Sequence, residues 1–196
     1  MIKGINYGLG EFLTGKKEDI YSDEDISKIR KTDQTKAKTK ILSAIFYLNP
    51  GDYHRYHSPC DFTVRSRKHI MGYLYPVKIS YIEKTPRVYE DNERVALFGE
   101  WSQGLMTQVY VGATNVGSMT LTHEGNKLLT NSLSPLNNQK VKTAIYEKPV
   151  FIPKGSEVGM FKLGSTVVMV FEAPHNFEWT IKEGDKVRFG QTIGHF

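Results

Sequence analysis

Residues 161–168 have the sequence Phe161-Lys162-Leu163-Gly164-Ser165-Thr166-Val167-Val168. A Gly-Ser-Thr triplet separates an apolar segment that ends at Phe161 from the apolar run Val167 to Phe171. Glycine tolerates the positive φ angles of a bend, and a run of valine, methionine and phenylalanine is typical of a strand. By itself the triplet predicts only a bend that leads into a strand, so its chemical meaning depends on the rest of the chain.

Length and charge limit the class of protein. The chain has 196 residues, enough for one compact domain with a sizeable core. Its single cysteine, Cys60, excludes an internal disulfide, and we expect it to be a small apolar filler. The formal net charge of +5 favours anionic partners, but no nucleic-acid-binding motif is found, so we expect no nucleic-acid partner. Every apolar run is shorter than the roughly 18 residues that span a bilayer, so we expect any membrane contact to be peripheral.

Apolar residues alternate with polar ones over much of the chain after Tyr53, as they do in half-buried strands. The apolar run Ile41 to Leu48 also has the length of a strand, and the turn-forming segment Asn49 to Asp52 follows it. The sequence therefore predicts a mainly β domain (α+β with minor helix), built as a sandwich or distorted barrel. The alternating sets are Val77, Ile79 and Tyr81; Val95 and Leu97; Val109 and Val111; Phe177, Trp179 and Ile181; and Val187 and Phe189.

Three segments carry turn signals, namely 124–126, 154–156 and 183–185. The two later turns belong to similar sequences, Lys-Gly-Ser-Glu-Val-Gly at 154–159 and Glu-Gly-Asp-Lys-Val-Arg-Phe-Gly at 183–190. This repetition predicts two hairpins of the kind found in lipoyl and biotinyl domains, near the C-terminus. No lysine lies in a recognisable attachment motif, so we interpret the repetition as architecture only.

The segment Lys16 to Lys40 is highly charged, with 14 charged residues among 25. It is expected to be a solvated loop or a short surface helix. Its basic end consists of Lys36, Lys38 and Lys40, which could attract anionic lipid. The adjoining run Ile41 to Leu48 is either a core strand or a segment that enters the lipid surface.

His54 and His57 are the candidate bases of the chain, because histidine titrates near neutral pH. The alternative is that this His-x-x-His pair is structural or binds a metal ion. A tetrahedral zinc site needs further close ligands, and neither Cys60 nor His69 has a typical spacing, so no metal is predicted. The other histidines are expected to be surface or structural residues: His69, His123, His175 and His195.

Four segments of the chain have distinctive motifs: Asp52 to Pro59 (DYHRxHxP), Asn92 to Val95 (NERV), Val111 to Ser118 (VGATNVGS), and Lys154 to Thr166 (KGxExGxFxxGST). They resemble sequence blocks of phosphatidylserine decarboxylases and follow one another in that family's order. One such block could arise by chance, but four in order identify a resemblance that extends from Ile2 to Gly194. Phe98 to Trp101 and Phe171 to Pro174 are similar to the eukaryotic members.

This resemblance implies an enzyme that makes its own prosthetic group. The hydroxyl of Ser165 would attack the carbonyl of Gly164, and the chain would split into a β chain, 1–164, and an α chain, 165–196, that begins with a pyruvoyl group. That group would form a Schiff base with the amine of phosphatidylserine. It would accept the electron pair of the carbon–carbon bond that breaks when CO2 leaves. By family analogy, His57 activates Ser165 during self-cleavage, and His54 returns a proton after CO2 leaves.

The chain departs from the family in one respect. The aspartate that orients the self-cleavage histidine belongs to an SPxDG motif upstream of the region that Ile2 to Tyr7 matches, so we expect an N-terminally incomplete sequence. Without that aspartate the tautomer of the histidine is less controlled. Ser58-Pro59-Cys60-Asp61 resembles the motif only superficially. Asp52 and Asp61 are the candidate substitutes.

Two functions therefore remain open at the level of sequence. The first is a pyruvoyl-dependent decarboxylase that makes phosphatidylethanolamine and CO2 at an anionic membrane surface, either the mitochondrial inner membrane or the endoplasmic reticulum or another endomembrane. The second is an unprocessed, non-catalytic lipid-binding or scaffold relative with the same fold. A homodimer is compatible with either function.

Overall fold

The computed structural model describes residues 9–15, 39–85, 87–114, 118–129, 141–162 and 165–196. Gly164 and residues 16–38, including Lys36 and Lys38, lie outside these ranges. The described residues are mostly β, which confirms the predicted fold class. Their helices are α1 (Leu9–Thr14), α2 (Ile79–Ile82) and α3 (Val88–Asp91), with a 3-10 turn at Thr122–Glu124; their strands are β1 (Thr39–Tyr47), β2 (Arg55–His57), β3 (Phe62–Ile70), β4 (Arg94–Trp101), β5 (Gly104–Val111), β6 (Met119–Leu121), β7 (Lys127–Leu129), β8 (Val141–Ile152), β9 (Glu157–Phe161), β10 (Thr166–Pro174), β11 (Glu178–Trp179) and β12 (Gly194–His195).

The larger sheet has six strands in the order β1-β10-β5-β4-β3-β8, and all its neighbouring strands are antiparallel. The run Ile41 to Leu48 supplies most of the edge strand β1, so the prediction of a strand there is confirmed. Strand β10, which follows the Gly-Ser-Thr triplet, lies between β1 and β5. Ser165 therefore stands at the entrance to an interior strand of this sheet.

Strand β4 shows why the central strands are covered on both sides. Val95, Ala96, Leu97 and Phe98 are consecutive, and all four are buried. Successive side chains of a strand point to opposite faces, so burial of all four means that both faces of the sheet carry other elements. The period-two pattern of Val95 and Leu97 correctly predicted the strand, but it predicted only one buried face.

The smaller sheet, β2-β9-β6-β7, packs against the larger one as the second layer of an open sandwich. The ring of Tyr56 in β2 stacks on the ring of Tyr110 in β5, with 3.7 Å between centroids, and Phe161 contacts both rings edge-on. A Cβ atom at Gly159 would overlap the carbonyl oxygen of Thr120 and lie 2.7 Å from a ring carbon of Tyr56. Glycine at this position therefore lets the Tyr56 side chain cross β9 and donate a hydrogen bond to the Thr120 carbonyl oxygen at 2.6 Å.

Arg94 holds the N-terminal helix against the larger sheet. Its side chain is fully buried, and its guanidinium donates hydrogen bonds to the carbonyl oxygens of Glu11, Phe12, Glu90 and Asn92 at 2.5 to 2.9 Å. Burial lowers the pKa of Arg94 to about 9, opposed by the attraction of Glu90. The arginine of the NERV block thus has a structural role in the described residues.

Two predictions from alternation were wrong. Val77, Ile79 and Tyr81 do not lie in a strand, because helix α2 begins at Ile79. A pattern of three alternating residues covers little more than one helical turn, so it does not distinguish the two conformations. Val187 and Phe189 lie in irregular backbone instead of a strand.

The predicted turns at 124–126, 154–156 and 183–185 are confirmed, with positive φ at Gly125, Gly155 and Gly184. The turn at 154–156 joins β8 to β9, which lie in different sheets, so the hairpin predicted there was wrong. Near the C-terminus, β11 pairs with β12 and closes a loop that contains the last of these turns. None of the described helices has the length and apolarity that a membrane-spanning segment requires.

Candidate active site

Ser165 is completely buried at the entrance to β10. The next residue, Thr166, pairs with Tyr47 of β1 on one side and with Val111 of β5 on the other. The carbonyl oxygen of Ser165 accepts a hydrogen bond from the backbone N–H of Leu48 at 2.7 Å, and its hydroxyl donates to the carbonyl oxygen of Val111. The candidate nucleophile is thus fixed by strands on both sides of it.

The carbonyl of Val111 is itself held by the NERV block. Gly112, the next residue, donates its N–H to the carbonyl oxygen of Glu93 at 2.7 Å and accepts a hydrogen bond from the amide nitrogen of Asn92 at 2.9 Å. The Glu93 carboxylate is fully buried and lies 2.7 Å from Nε2 of His69. Burial raises the pKa of Glu93, and the hydrogen bond from His69 opposes this shift. A buried polar network therefore supports the backbone to which Ser165 is bonded.

His54 lies just before β2, and its carbonyl oxygen accepts a hydrogen bond from the N–H of Phe161 at 2.9 Å. Its Nδ1 atom is hydrogen-bonded to the carbonyl oxygen of Asp52, which can only accept, so Nδ1 carries the proton. In the neutral ring, Nε2 then has the free lone pair. This Nε2 atom is buried and has no hydrogen-bond partner in the described part of the chain.

His57 is held in the same tautomer by a different carbonyl. Its Nδ1 lies 2.8 Å from the carbonyl oxygen of Gly155, and its Nε2 lies 2.8 Å from the hydroxyl of Tyr53. In the neutral ring Nδ1 donates to Gly155, and Nε2 accepts from Tyr53. The rings of Tyr53 and Phe189 lie 5.7 and 4.4 Å from the His57 ring, so the imidazole is enclosed by aromatic groups.

The β2–β9 ladder separates the two histidines. His54 lies opposite Phe161, at the end of β9 that leads to Ser165, whereas His57 pairs with Glu157 at the other end. Within the described ranges, no hydrogen bond joins either imidazole to Ser165. The structure thus places His54 nearer to Ser165 along the ladder.

The two candidate substitutes for the orienting aspartate bond elsewhere. The carboxylate of Asp52 accepts hydrogen bonds from the backbone and side-chain nitrogens of Asn49 at 2.7 and 3.1 Å. The carboxylate of Asp61 accepts from the backbone N–H of Lys154 at 2.9 Å. The orientation of His57 therefore comes from the backbone carbonyl of Gly155.

Sequence reasoning missed four contributors to this site. They are Tyr53, Phe189, Thr166 and the carbonyl of Val111. Tyr53 and Val111 lie inside the recognised sequence blocks, so membership of a block could have marked them as site residues. Phe189 is brought to His57 by the C-terminal loop, and no local pattern indicates that contact. Thr166 was quoted only as part of the triplet, but its Oγ1 atom is buried without a hydrogen-bond partner among the described residues.

The remaining reactive side chains have structural surroundings. The Cys60 sulfur lies 3.5 Å from the Met106 sulfur, and burial raises the pKa of the thiol to about 12, which fits the predicted apolar filler. His123 is half-buried and bonds to the Tyr146 hydroxyl at 2.9 Å, while His175 and His195 are exposed. In the ranges that the structure covers, no three His, Cys, Asp or Glu side chains converge as metal ligands.

Comparisons with known proteins identify relatives over the whole chain. The family model described as phosphatidylserine decarboxylase matches residues 1–195. The mitochondrial phosphatidylserine decarboxylase proenzyme 1 of Oryza sativa subsp. japonica is 33% identical over 248 residues, which cover 100% of this chain and 56% of the relative. Proenzyme 1 of Saccharomyces cerevisiae, also mitochondrial, is 42% identical over 164 residues, covering 80% of this chain and 33% of the relative. The mitochondrial proenzyme of Cricetulus griseus is 36% identical over 201 residues, covering 98% and 49%. The chain spans between a third and just over half of the length of these curated relatives.

Proposed function

Because this chain belongs to the phosphatidylserine decarboxylase family, we propose that it is a domain that decarboxylates phosphatidylserine to phosphatidylethanolamine and CO2. We further propose that residues 1–196 form one catalytic domain, cleaved into a β chain, 1–164, and an α chain, 165–196, that carries a pyruvoyl group derived from Ser165. The observation that carries this proposal is the buried Ser165 hydroxyl, fixed at the entrance to an interior strand, in a domain where backbone carbonyls hold His54 and His57 in the tautomer that leaves Nε2 as the acceptor nitrogen.

The self-cleavage begins at Ser165. Its Oγ atom attacks the carbonyl carbon of Gly164 and gives its proton to a base, while the amide nitrogen of Ser165 leaves and takes up a proton. The product is an ester that links Gly164 to Oγ of Ser165. Removal of the Cα proton of Ser165 then breaks the Cβ–Oγ bond and releases the Gly164 carboxylate. Water hydrolyses the resulting enamine, so ammonia leaves and a pyruvoyl group remains at residue 165.

The two histidines have different proposed tasks. His57 is proposed as the base for Ser165, since the carbonyl of Gly155 fixes the Nδ1–H tautomer and leaves Nε2 able to accept a proton. His54 is proposed to return a proton to the carbon that has lost CO2, since its buried Nε2 has no other partner in the described residues. Exchanged roles would instead agree with the ladder, where His54 lies nearer to Ser165.

The surroundings of Ser165 suit a carbonyl group at this position. Two buried polar atoms are left without hydrogen-bond partners in the described ranges, Oγ1 of Thr166 and Nε2 of His54. Burying such atoms without a partner costs free energy, so they are available to a polar group that the intact chain does not yet carry. When present, a pyruvoyl group supplies an electron sink for the bond to CO2. The hydroxyl of Thr166 would donate a hydrogen bond to it, and His54 would do so once its Nε2 is protonated.

The proposed location follows from the relatives and the substrate. The relatives named above are mitochondrial proenzymes, so we propose a mitochondrial membrane as the site of action, with the protein bound peripherally to the anionic lipid surface. Phosphatidylserine cannot leave a bilayer cheaply, because each CH2 group moved into water costs about 0.8 kcal/mol. The enzyme must therefore work at the interface.

An unprocessed lipid-binding relative is the second candidate function. The observation in its favour is that the Ser165 hydroxyl is hydrogen-bonded to the Val111 carbonyl, which cannot act as a base. No hydrogen bond from His54 or His57 reaches Ser165 within the described ranges. This candidate predicts an intact chain of 196 residues after prolonged incubation.

Intact mass distinguishes the two candidates. The decarboxylase should give two pieces, 1–164 and 165–196, and the second should have a carbonyl N-terminus that reacts with a hydrazine probe. Ser165→Ala should remain one chain and show no release of CO2 from phosphatidylserine. A wild-type chain that stays intact, also when the upstream aspartate segment is supplied, would refute the processing part of the proposal.

A further inference from the structure

The loop between β11 and β12 exposes an aromatic turn next to the candidate site. The backbone N–H of Gln191 donates to the carbonyl oxygen of Arg188 at 3.0 Å, and the N–H of Arg188 donates to the Gln191 side chain at 2.9 Å. Gly190 has a φ of +76°, which glycine adopts without strain. These constraints hold Phe189 at the outer corner of the turn, where 65% of its surface is exposed.

Phe189 is part of a small apolar patch and not a single exposed ring. Its centroid lies 5.3 Å from that of Tyr53, which is 49% exposed, and Val187 beside it is 36% exposed. Phe189 contacts the rings of His57 and Tyr53, and most of its surface is still exposed to solvent. We call Tyr53, Val187 and Phe189 the aromatic tip.

Cations flank this aromatic tip. Lys186 and Arg188 alternate with Val187 and Phe189 along the chain, and both are exposed. The pKa of Asp52 is lowered mainly by hydrogen bonds from Asn49 and additionally by the charges of His54 and Lys186, which agrees with a position of Lys186 near Asp52. The nearest acidic residue in sequence, Asp185, accepts a hydrogen bond from the N–H of Lys182 at 2.8 Å in the preceding turn. The stretch 186–189 itself contains two cations and no acid.

Apolar side chains between cations suit one kind of partner. The apolar groups enter the boundary between headgroups and acyl chains, and the cations are attracted to anionic headgroups. In the segment Ile41 to Leu48, most of the apolar side chains are partly buried against the core, so the aromatic tip is the more exposed of the two apolar surfaces. Phe189 contacts His57, so a lipid that meets the aromatic tip has its headgroup next to the candidate site.

We propose that the turn Arg188–Gln191 inserts Phe189 into an anionic phospholipid bilayer and thereby places the candidate site at the level of the lipid headgroups. This inference rests on the proposed function for the identity of the substrate, but insertion itself requires neither processing nor decarboxylation. The turn is the part of the domain that makes the peripheral contact with the membrane.

Vesicle binding tests the proposal, measured by sedimentation with phosphatidylcholine vesicles that contain or lack phosphatidylserine. Phe189→Ala should weaken binding to the anionic vesicles about tenfold, because it removes most of a large apolar side chain. Phe189→Leu should keep most of the binding, because it retains apolar volume. Arg188→Gln should weaken binding about fivefold, and this difference should disappear at high salt.

The matched control is Ile145→Ala. Ile145 is 79% exposed and lies on β8, an edge strand of the larger sheet, whereas the aromatic tip lies outside that sheet. It should change vesicle binding by less than about twofold. As a second readout, Phe189→Trp fluorescence should be quenched by brominated lipid, above the background of the two native tryptophans, whereas Ile145→Trp should not be.

The test is independent of the proposed reaction, because the same measurements are made in wild type and in Ser165→Ala. Loss of processing with intact insertion would refute the proposed function alone. Equal binding by wild type and Phe189→Ala, or no added quenching for Phe189→Trp, would overturn the insertion proposal alone. Binding that depends on Phe189 but not on the lipid composition would also overturn it, because the cations would then have no part.

Discussion

The hydroxyl of Ser165 donates a hydrogen bond to the carbonyl oxygen of Val111. Val111 belongs to β5, which pairs with β10 directly after Ser165, so both partners of this bond are held by the sheet. A carbonyl oxygen does not take up the proton, so the described arrangement is a resting state of the proposed nucleophile. The proposed self-cleavage would require the hydroxyl to rotate toward a base.

Thr166→Val should slow self-cleavage about 100-fold, if its hydroxyl donates to the oxyanion that forms on Gly164. The same change should leave the protein equally stable or up to about 1 kcal/mol more stable, since the buried hydroxyl has no partner in the described residues. A time course of freshly translated protein measures the cleavage. Thr120→Val is the matched control, because its Oγ1 is also buried without a partner but lies in the other sheet. Equal cleavage rates in both variants would exclude this role of Thr166.

His57→Ala should remain a single chain, because the proposed base for Ser165 is lost. His54→Ala should still be cleaved but should decarboxylate at least about 100-fold more slowly, because the carbon that loses CO2 lacks its proton donor. Gel mobility reports the cleavage, and CO2 release reports the activity. Exchanged phenotypes would assign the self-cleavage to His54, in agreement with its position opposite Phe161.

Glu93→Gln should remove one source of pH-dependent stability. The pKa of Glu93 is raised above its ordinary value of 4.5 by burial, so the folded chain binds more protons than the unfolded chain in the pH range above that value. The free energy of unfolding must then fall as pH rises through this range. Relative to Glu93→Gln, the wild type should lose stability between pH 4.5 and neutrality, as measured by urea unfolding. A difference that is constant with pH, or one that grows in favour of the wild type, would contradict the argument.

Gly159→Ala should destabilise the domain by about 3 kcal/mol, because the added methyl group overlaps the Thr120 carbonyl and the Tyr56 ring. Gly51→Ala is a suitable comparison, since no atom lies within 4 Å of its new Cβ and its φ is not positive. We expect it to change stability by less than about 0.5 kcal/mol. Thermal unfolding of both variants measures the difference, and similar melting temperatures would show that the Tyr56 ring and the Thr120 carbonyl can move to admit the methyl group.

The sequence was most informative where short-range physics dominates. Turns at Gly125, Gly155 and Gly184 follow from residues that tolerate positive φ. Strand β1 follows from an apolar run, and β4 and β5 follow from alternation of apolar residues. The two-sided burial of β4 was not predictable from alternation, because it depends on which elements cover the second face. Helix α2 was mistaken for a strand because four residues carry too little periodicity to decide between the two.

The candidate site shows the same division between what local sequence predicts and what only the folded chain determines. Ser165, His54 and His57 were selected from their blocks, but the partners that fix them are backbone carbonyls of Val111, Asp52 and Gly155. Every residue has a carbonyl, so no sequence pattern marks the few that accept a functional hydrogen bond. The contact of Phe189 with His57 joins residues far apart in the chain, and only the folded C-terminal loop reveals it.

The position of β10 between β1 and β5 has a thermodynamic consequence for the proposed mature form. A break before Ser165 would leave the backbone pairing of β10 intact on both sides, so the shorter piece would stay bound without a covalent link. Unfolding would then also be a dissociation, and mass action would make the melting temperature rise with protein concentration. The unbroken chain can refold at any dilution, whereas the broken one would have to find its partner again. The chain would fold once, before cleavage, in a first-order reaction. After cleavage, refolding would be second order, because the two pieces would have to associate again.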